Sequence, residues 1–448
     1  MPPPNLKVLI AGGGIAGLTL AVLLERAGID YEVYERASSV RPLGTALSIG
    51  PSVMPMFAQL GLLDQFRAVS NENNFALNFN EDLQLTGTVN YTELLERNGW
   101  PNSVIARPQL YDLLYSQIPP EKVHMNKKFA SVLEQEDTQE GGVTIQFLDG
   151  TTAHGDILVG ADGGYSGVRK DLYEQLAKQG ELPLSDLEEL SCSSICLVGQ
   201  TGSLSPEKFP HVAEKYCRFE NISGKDKPYT WLTFTLPGHR ICWMVIEHLY
   251  LETNRAAIFS NAEWGPGATD AMLEKVRDFP IPSGAEGTQL TMADLIDETP
   301  RDGISQAALE GKFFETWYAK QTVLIGDGAN TAIQDAIVLS NYLHSMPDKT
   351  PASVTKAFEG YHRERVGPAR QAYDTSERFR QLFRKRLINT LIRAAVKYIP
   401  QFLWNRAFDR LYSNRPQVVF LPLIPDRGLI KAFPQASLQQ TSPPEANS

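Results

Sequence analysis

Lys7-Val8-Leu9-Ile10-Ala11-Gly12-Gly13-Gly14-Ile15-Ala16-Gly17-Leu18 stands near the N-terminus, and Glu35 closes the next apolar run, Tyr31-Glu32-Val33-Tyr34. An apolar segment, a G-x-G-x-x-G turn and a helix-forming stretch are followed by a second strand that ends in an acid. Each part has a physical task in binding a dinucleotide. Gly12 permits the tight turn, and Gly14 lets the backbone approach a pyrophosphate. Gly17 lets the helix lie close on the strand, and the free N–H groups of the helix start face the phosphates. Glu35 can accept both hydroxyls of an adenosine ribose. Glycines alone would be a weak signal, but strand, helix and acid stand at the expected distances.

The chain has 448 residues, enough for two domains and extensions. Its hydrophobic content of 42% and charged content of 21% are those of a globular enzyme. A net charge of −10 with no basic stripe argues against nucleic acid as a partner. The cysteines, Cys192, Cys196, Cys217 and Cys242, form no C-x-x-C pair, and no histidine lies at a metal-ligand spacing. Buried thiols in a reducing compartment, with no metal site, are the expectation. Met1-Pro2-Pro3-Pro4-Asn5 runs straight into the first strand, so no signal peptide is expected and an intracellular location is.

Val8 to Ala11 reads as a buried parallel strand, and Ile15 to Ala27 as a helix ended by Gly28. Arg107-Pro108-Gln109-Leu110 starts another helix, with proline at a permitted first-turn position. Asp149-Gly150 marks a hairpin after the alternating run Val143 to Leu148. From about Ser191 to Glu247 strand-like runs such as Tyr229-Thr230-Trp231-Leu232-Thr233-Phe234 predict a mixed or antiparallel sheet. Val323-Leu324-Ile325-Gly326-Asp327 then returns to the buried-strand pattern. The expected segments are 1–180 and 301–375 for the nucleotide domain and 181–300 for an inserted sheet domain. A helical extension over 376–433 and an unstructured tail over 434–448 complete the chain.

Two further motifs narrow the class. One is Gly160-Ala161-Asp162-Gly163-Gly164-Tyr165-Ser166-Gly167-Val168-Arg169. The other is Gly326-Asp327-Gly328-Ala329-Asn330-Thr331-Ala332-Ile333-Gln334-Asp335-Ala336, a strand running into an acid and then a helix of small residues. In this order the three motifs resemble those of the group A flavoprotein monooxygenases with the para-hydroxybenzoate hydroxylase fold, from about Leu6 to Arg370. Within that family the chain is similar to the fungal FAD-dependent epoxidases of meroterpenoid and indole-diterpene pathways. It shares with them Gly12 to Leu20, Ala329 to Ala336 and Arg415-Pro416-Gln417 with Phe420-Leu421-Pro422.

The resemblance implies an α/β fold: a Rossmann-type FAD-binding domain, an inserted mixed or antiparallel-sheet substrate domain and a helical C-terminal extension. It implies that FAD is held by Gly12, Gly14, Gly17, Glu35, Gly50, Arg107, Asp162, Asp327 and Ala329. NADPH would reduce the flavin, O₂ would add to give a C4a-hydroperoxide, and its distal oxygen would pass to a prenyl double bond of an apolar terpenoid. That chemistry requires a dry pocket more than acid–base groups. Tyr216, Phe219, Tyr229, Trp231, Phe234 and Trp243 could wall it, with Tyr216 and Arg218 as the polar groups near the reacting centre.

One departure is plain: relatives carry roughly a dozen residues between the Gly-Asp pair and the Ala-Asn segment, whereas here Gly328 alone intervenes. At about 3.3–3.6 Å per residue the short connection cannot follow such a loop. An inactive or flavin-poor homologue with a binding role therefore stands as the alternative. An NAD-dependent dehydrogenase would leave the later motifs without a use. The basic, apolar stretch 383–404 suggests peripheral membrane contact or a pair of covering helices.

Overall fold

The computed structural model describes residues 2–39, 46–133, 142–188, 190–225, 227–254, 266–282, 284–285, 287–326, 328–382 and 399–439. Its first sheet is built around the strand Lys7–Ala11, which pairs in parallel with Asp30–Tyr34 on one side and Ile157–Gly160 on the other. Thr322–Leu324 continues the parallel order beside Ile157–Gly160, Val123–His124 extends the other edge, and Tyr318–Ala319 closes the sheet antiparallel. Val8, Leu9, Ile10, Ile157, Leu158 and Val159 are all fully buried, as expected of strands covered on both faces. That is why these runs read as continuous rather than alternating apolar stretches.

Helix α1 (Ile15–Ala27) covers one face and ends at Gly28, whose left-handed φ of +68° a side chain would resist. A three-stranded meander, Phe129–Leu133, Val143–Phe147 and Thr152–Gly155, covers the other through Phe129, Ile145 and Phe147 on Leu9 and Leu158. Helices α2 (Arg107–Tyr115), α3 (Gly167–Gln179), α4 (Ala329–His344) and α5 (Pro351–Leu382) follow in chain order. α4 lies between α1 and α5, in the same core as the sheet.

The second sheet has seven strands and draws on more of the chain than 181–300. Its order is Ser305–Glu310, Ser191–Gln200, Arg240–Asn254, Tyr229–Leu236, Phe219–Ser223, Phe75–Asn80 and Leu85–Asn90. Phe219–Ser223 and Phe75–Asn80 run parallel and the remaining pairs antiparallel, so the sheet is mixed. Its two faces differ. Ile195, Leu197, Ile222, Trp231, Trp243 and Val245 are sealed by the helices Pro266–Val276 and Met292–Ile296. On the other face Phe219, Leu232, Phe234 and Cys242 meet Ala46, Val104 and Ala106 of the nucleotide domain. Those three residues belong to a small antiparallel sheet of Ala46–Ile49, Ser103–Ala106 and Ser70–Glu72.

The C-terminal segment wraps back onto the first domain. Helix α6 (Gln401–Tyr412) is tied down by Arg97 to Asp409 and by Asn405 to Glu93. Arg415, 5% exposed, then donates to Asn98 Oδ1 at 3.1 Å and to both oxygens of Asp426. Where composition predicts an unstructured tail from Pro434, residues 434–439 are ordered and Ala436–Gln439 is helical. Ser437 N donates to Glu364 Oε2 at 3.0 Å, so polar residues that suggested solvent serve as tertiary hydrogen-bond partners. Residues 383–398 of the proposed membrane-contact stretch lie outside the described residues, and 401–404 form the first turn of α6. Among the described residues no helix is long and apolar enough to cross a membrane.

Candidate functional site

The glycine turn closes the C-terminal end of Lys7–Ala11. Gly12 has φ +110° and donates to Tyr34 O at 2.8 Å; a Cβ there would stand 2.4 Å from Ala161 O. A Cβ on Gly17 would stand 1.9 Å from Gly12 O, so only glycine lets α1 lie this close to the turn. Gly14 caps α1 with no side-chain hydrogen bond, and a Cβ there would meet nothing within 4 Å. A bare helix N-terminus therefore faces open space, which suits a pyrophosphate. Glu35 is aimed by its own backbone surroundings: Oε2 accepts from Gly13 N and Oε1 from Ala37 N, both at 2.8 Å. Each oxygen keeps a lone pair for a ribose hydroxyl. The nucleotide half of FAD fits these residues.

Asp162 follows Ile157–Gly160 on the neighbouring strand. Its Oδ2 accepts from Gly167 N at 2.7 Å and Val168 N at 3.2 Å, and its Oδ1 accepts from Ser166 Oγ. The carboxylate thus caps α3, whose N-cap Ser166 accepts from Arg169 N at 2.9 Å. Asp162 shapes the turn rather than reaching away from it.

At the third strand end Gly326 N donates to Asp335 Oδ2 at 3.0 Å. Asp327 itself lies outside the described residues. Gly328 is the N-cap of α4, again with no side-chain cap, and Ala329 is its first residue. Asn330 then turns sideways: Nδ2 donates to Ser48 O at 2.7 Å, and Oδ1 accepts from Gly50 N at 3.1 Å. This amide ties the start of α4 to the end of Ala46–Ile49 across the short connection. A Cβ on Gly50 would stand 2.4 Å from Tyr412 Cε1, so α6 brings an aromatic ring against that glycine. Burial pushes the Tyr412 phenol well above its ordinary range. Arg107 is exposed as the first residue of α2, directly after Ser103–Ala106. Asn330 sits inside a motif but carries no local sign of its partners, and Tyr412 has no sequence signal at all.

Gly12, Glu35, Asp162 and Gly326 thus follow four adjacent parallel strands at their carboxyl ends, the crevice where open α/β sheets bind ligands.

The two polar groups expected near the reacting centre, Tyr216 and Arg218, have different surroundings. Tyr216, 39% exposed, borders a groove of about 160 Å³ with Met54, Arg67, Glu72, Pro101 and Lys215. Arg218 Nε donates to Glu220 Oε1 at 2.9 Å, and the fully buried Glu220 also accepts from Thr233 Oγ1 at 3.0 Å. Strand alternation sets Glu220 and Thr233 on the sealed face with Ile222 and Trp231. Arg218 is therefore not directed at the nucleotide domain. Trp231, Trp243 and Tyr229 belong to that sealed core too, with Trp231 Nε1 bonded to Pro280 O and Trp243 Nε1 to Thr299 Oγ1. Of the candidate wall residues, Phe219 and Phe234 face the other domain, stacked with ring centres 4.4 Å apart.

Comparison with known proteins agrees with this geometry. A family model described as an FAD binding domain matches residues 5–193. The FAD-dependent monooxygenase ptmM of Penicillium ochrochloron is 30% identical over 420 residues, covering 87% of this chain and 92% of that protein. The FAD-dependent monooxygenase esdpE of Penicillium shearii is 28% identical over 400 residues, covering 84% and 78%. Among solved structures, Klebsiella pneumoniae HpxO complexed with FAD and uric acid superposes with a TM-score of 0.66 at 17% identity, over 94% of this chain and 98% of that one. The tetracycline destructase Tet(51) does so with a TM-score of 0.61 at 15% identity, over 89% and 98%. At such identities the structures speak for a shared fold.

Proposed function

Because this chain belongs to the FAD-dependent monooxygenases, we propose that it uses NADPH and O₂ to epoxidise a prenyl double bond of an apolar terpenoid intermediate in fungal secondary metabolism. One observation carries the reading. The apolar face of Phe219, Leu232 and Phe234 lies against Ala46, Val104 and Ala106, on the strands that lead into Gly50 and Arg107. An apolar acceptor would enter beside the reactive end of the cofactor at this junction.

Bound FAD supplies the redox chemistry, taking up a hydride and activating O₂. The chain's own residues do the rest. Glu35 would hold the adenosine ribose, and the N-terminus of α1 at Gly14 the pyrophosphate. The start of α4 at Gly328 and Ala329 would meet the flavin end, with Asp327 as the expected acceptor from the ribityl hydroxyls, and Arg107, at the opposite end of the Ala46–Ile49 pairing, as a further expected contact. Phe219, Leu232 and Phe234 exclude water, which otherwise diverts activated oxygen to peroxide. An olefin acceptor has no proton to remove, so this face needs no general base.

The test is direct. Purified protein should be yellow with bound FAD, and prenylated olefins should accelerate its NADPH oxidation and gain one oxygen atom from ¹⁸O₂. A colourless protein that takes up no FAD defeats the reading. Acceleration by polar phenols alone, with hydroxylated products, replaces the epoxidase by a hydroxylase.

A further inference from the structure

We propose that the buried pair Asp335–Arg365 is a positioning device for the turn at Gly326, setting how far that turn stands from the flavin end of the cofactor. The inference rests on the reading that this turn meets that end. Ile325 N still donates to Gly160 O at 3.1 Å, the last bond that the sheet offers this strand. The next amide, Gly326 N, goes to Asp335 Oδ2 at 3.0 Å instead. The fit is close: a Cβ on Gly326 would stand 3.0 Å from that oxygen. Asp335 Oδ1 accepts from Arg365 Nε at 2.6 Å, and Arg365 Nη2 donates to Gln334 Oε1 at 3.0 Å. Asp335 and Arg365 are each 1% exposed.

Burying two charges to hold two helices together is a poor source of stability, since apolar side chains serve as well or better. A carboxylate is required here for another reason. Its second oxygen reaches across from α4 to a backbone N–H that no strand satisfies. Tyr361, one turn before Arg365 on α5, donates to Leu324 O at 3.1 Å, so α5 steadies both flanks of Ile325. Asp335 and Arg365 are thus positioning residues, acting through the turn.

The test compares wild type, Asp335→Ala, Asp335→Asn and Arg365→Lys. FAD affinity, the visible flavin spectrum and the flavin reduction potential are measured on variants whose circular dichroism matches wild type. Asp335→Ala is expected to weaken FAD binding at least 10-fold and to shift spectrum and potential. Asp335→Asn, which can still accept from Gly326 N, should recover part of both, and Arg365→Lys most. Should Asp335→Ala not fold, Asp335→Asn and Arg365→Lys decide. Folded variants with wild-type affinity, spectrum and potential overturn the proposal. A wild-type protein without FAD overturns the underlying reading, a result these variants cannot mimic.

Discussion

The two ends of the cofactor crevice are built by different means. At the nucleotide end the bonds that aim Glu35 lie within one strand–turn–helix–strand unit: Gly13 N and Ala37 N to Glu35, with Gly12 N to Tyr34 O. At the other end most ties reach outside the local segment. Gly326 is held by Asp335, Asp335 by Arg365, and Asn330 by Ser48 and Gly50, with Tyr412 pressed on Gly50 from the far C-terminus. The first end is a supersecondary unit that assembles with its own strand and helix. The second is a junction, and exists only once the 326–335 segment, α5, the end of Ala46–Ile49 and α6 have packed.

Substitutions can break or sharpen this contrast. The largest effect is expected from Gly17→Ala. Its methyl would overlap Gly12 O, costing about 3 kcal/mol, and the denaturant midpoint and the bound flavin should fall together. Glu35→Gln comes next. One backbone donor then faces an NH₂ group, and the loss of charge-assisted bonds of about 1.5–3 kcal/mol should weaken FAD by roughly 10- to 100-fold. The visible spectrum of whatever flavin remains should stay unchanged. Asn330→Ala removes two neutral bonds of about 1 kcal/mol each and should weaken FAD less, but here the flavin spectrum should move. If Glu35→Gln perturbs the spectrum as strongly as Asn330→Ala, the two ends are not independent.

The smallest expected signal concerns the contact between the domains. Cys242 lies in it and Cys196 nearby in the same sheet, both buried, and burial pushes each thiol up to about 12. A raised value leaves the neutral thiol dominant at pH 8, so an aromatic disulfide reagent should label neither in the native protein and both after unfolding. Fast native labelling of Cys242 would mean that this contact opens.

Legibility followed the same divide. The strand Lys7–Ala11, helix Ile15–Ala27, its Gly28 cap and the Asp149-Gly150 hairpin are readable because each rests on adjacent residues. The middle sheet was visible in its apolar strands. Its strands Phe75–Asn80 and Leu85–Asn90 were not, because runs such as Asn78-Phe79-Asn80 and Thr86-Gly87-Thr88 carry no clear alternation. Arg218 and Tyr216 looked like free polar groups among aromatics. Glu220, two residues on, claims Arg218, and only the strand register tells which face they share.

By itself, then, the sequence determined that the chain carries an FAD-binding fingerprint of the flavin-dependent class and a second sheet rich in apolar strands. Glycine placement and apolar runs act at short range, so they are written where they act. Tertiary structure alone decided which sheet face looks at the cofactor domain and what holds the Gly326 turn. It alone brought Tyr412 to Gly50. Buried charge pairs and cross-chain hydrogen bonds have no spacing rule, since their partners meet only when the elements that carry them pack.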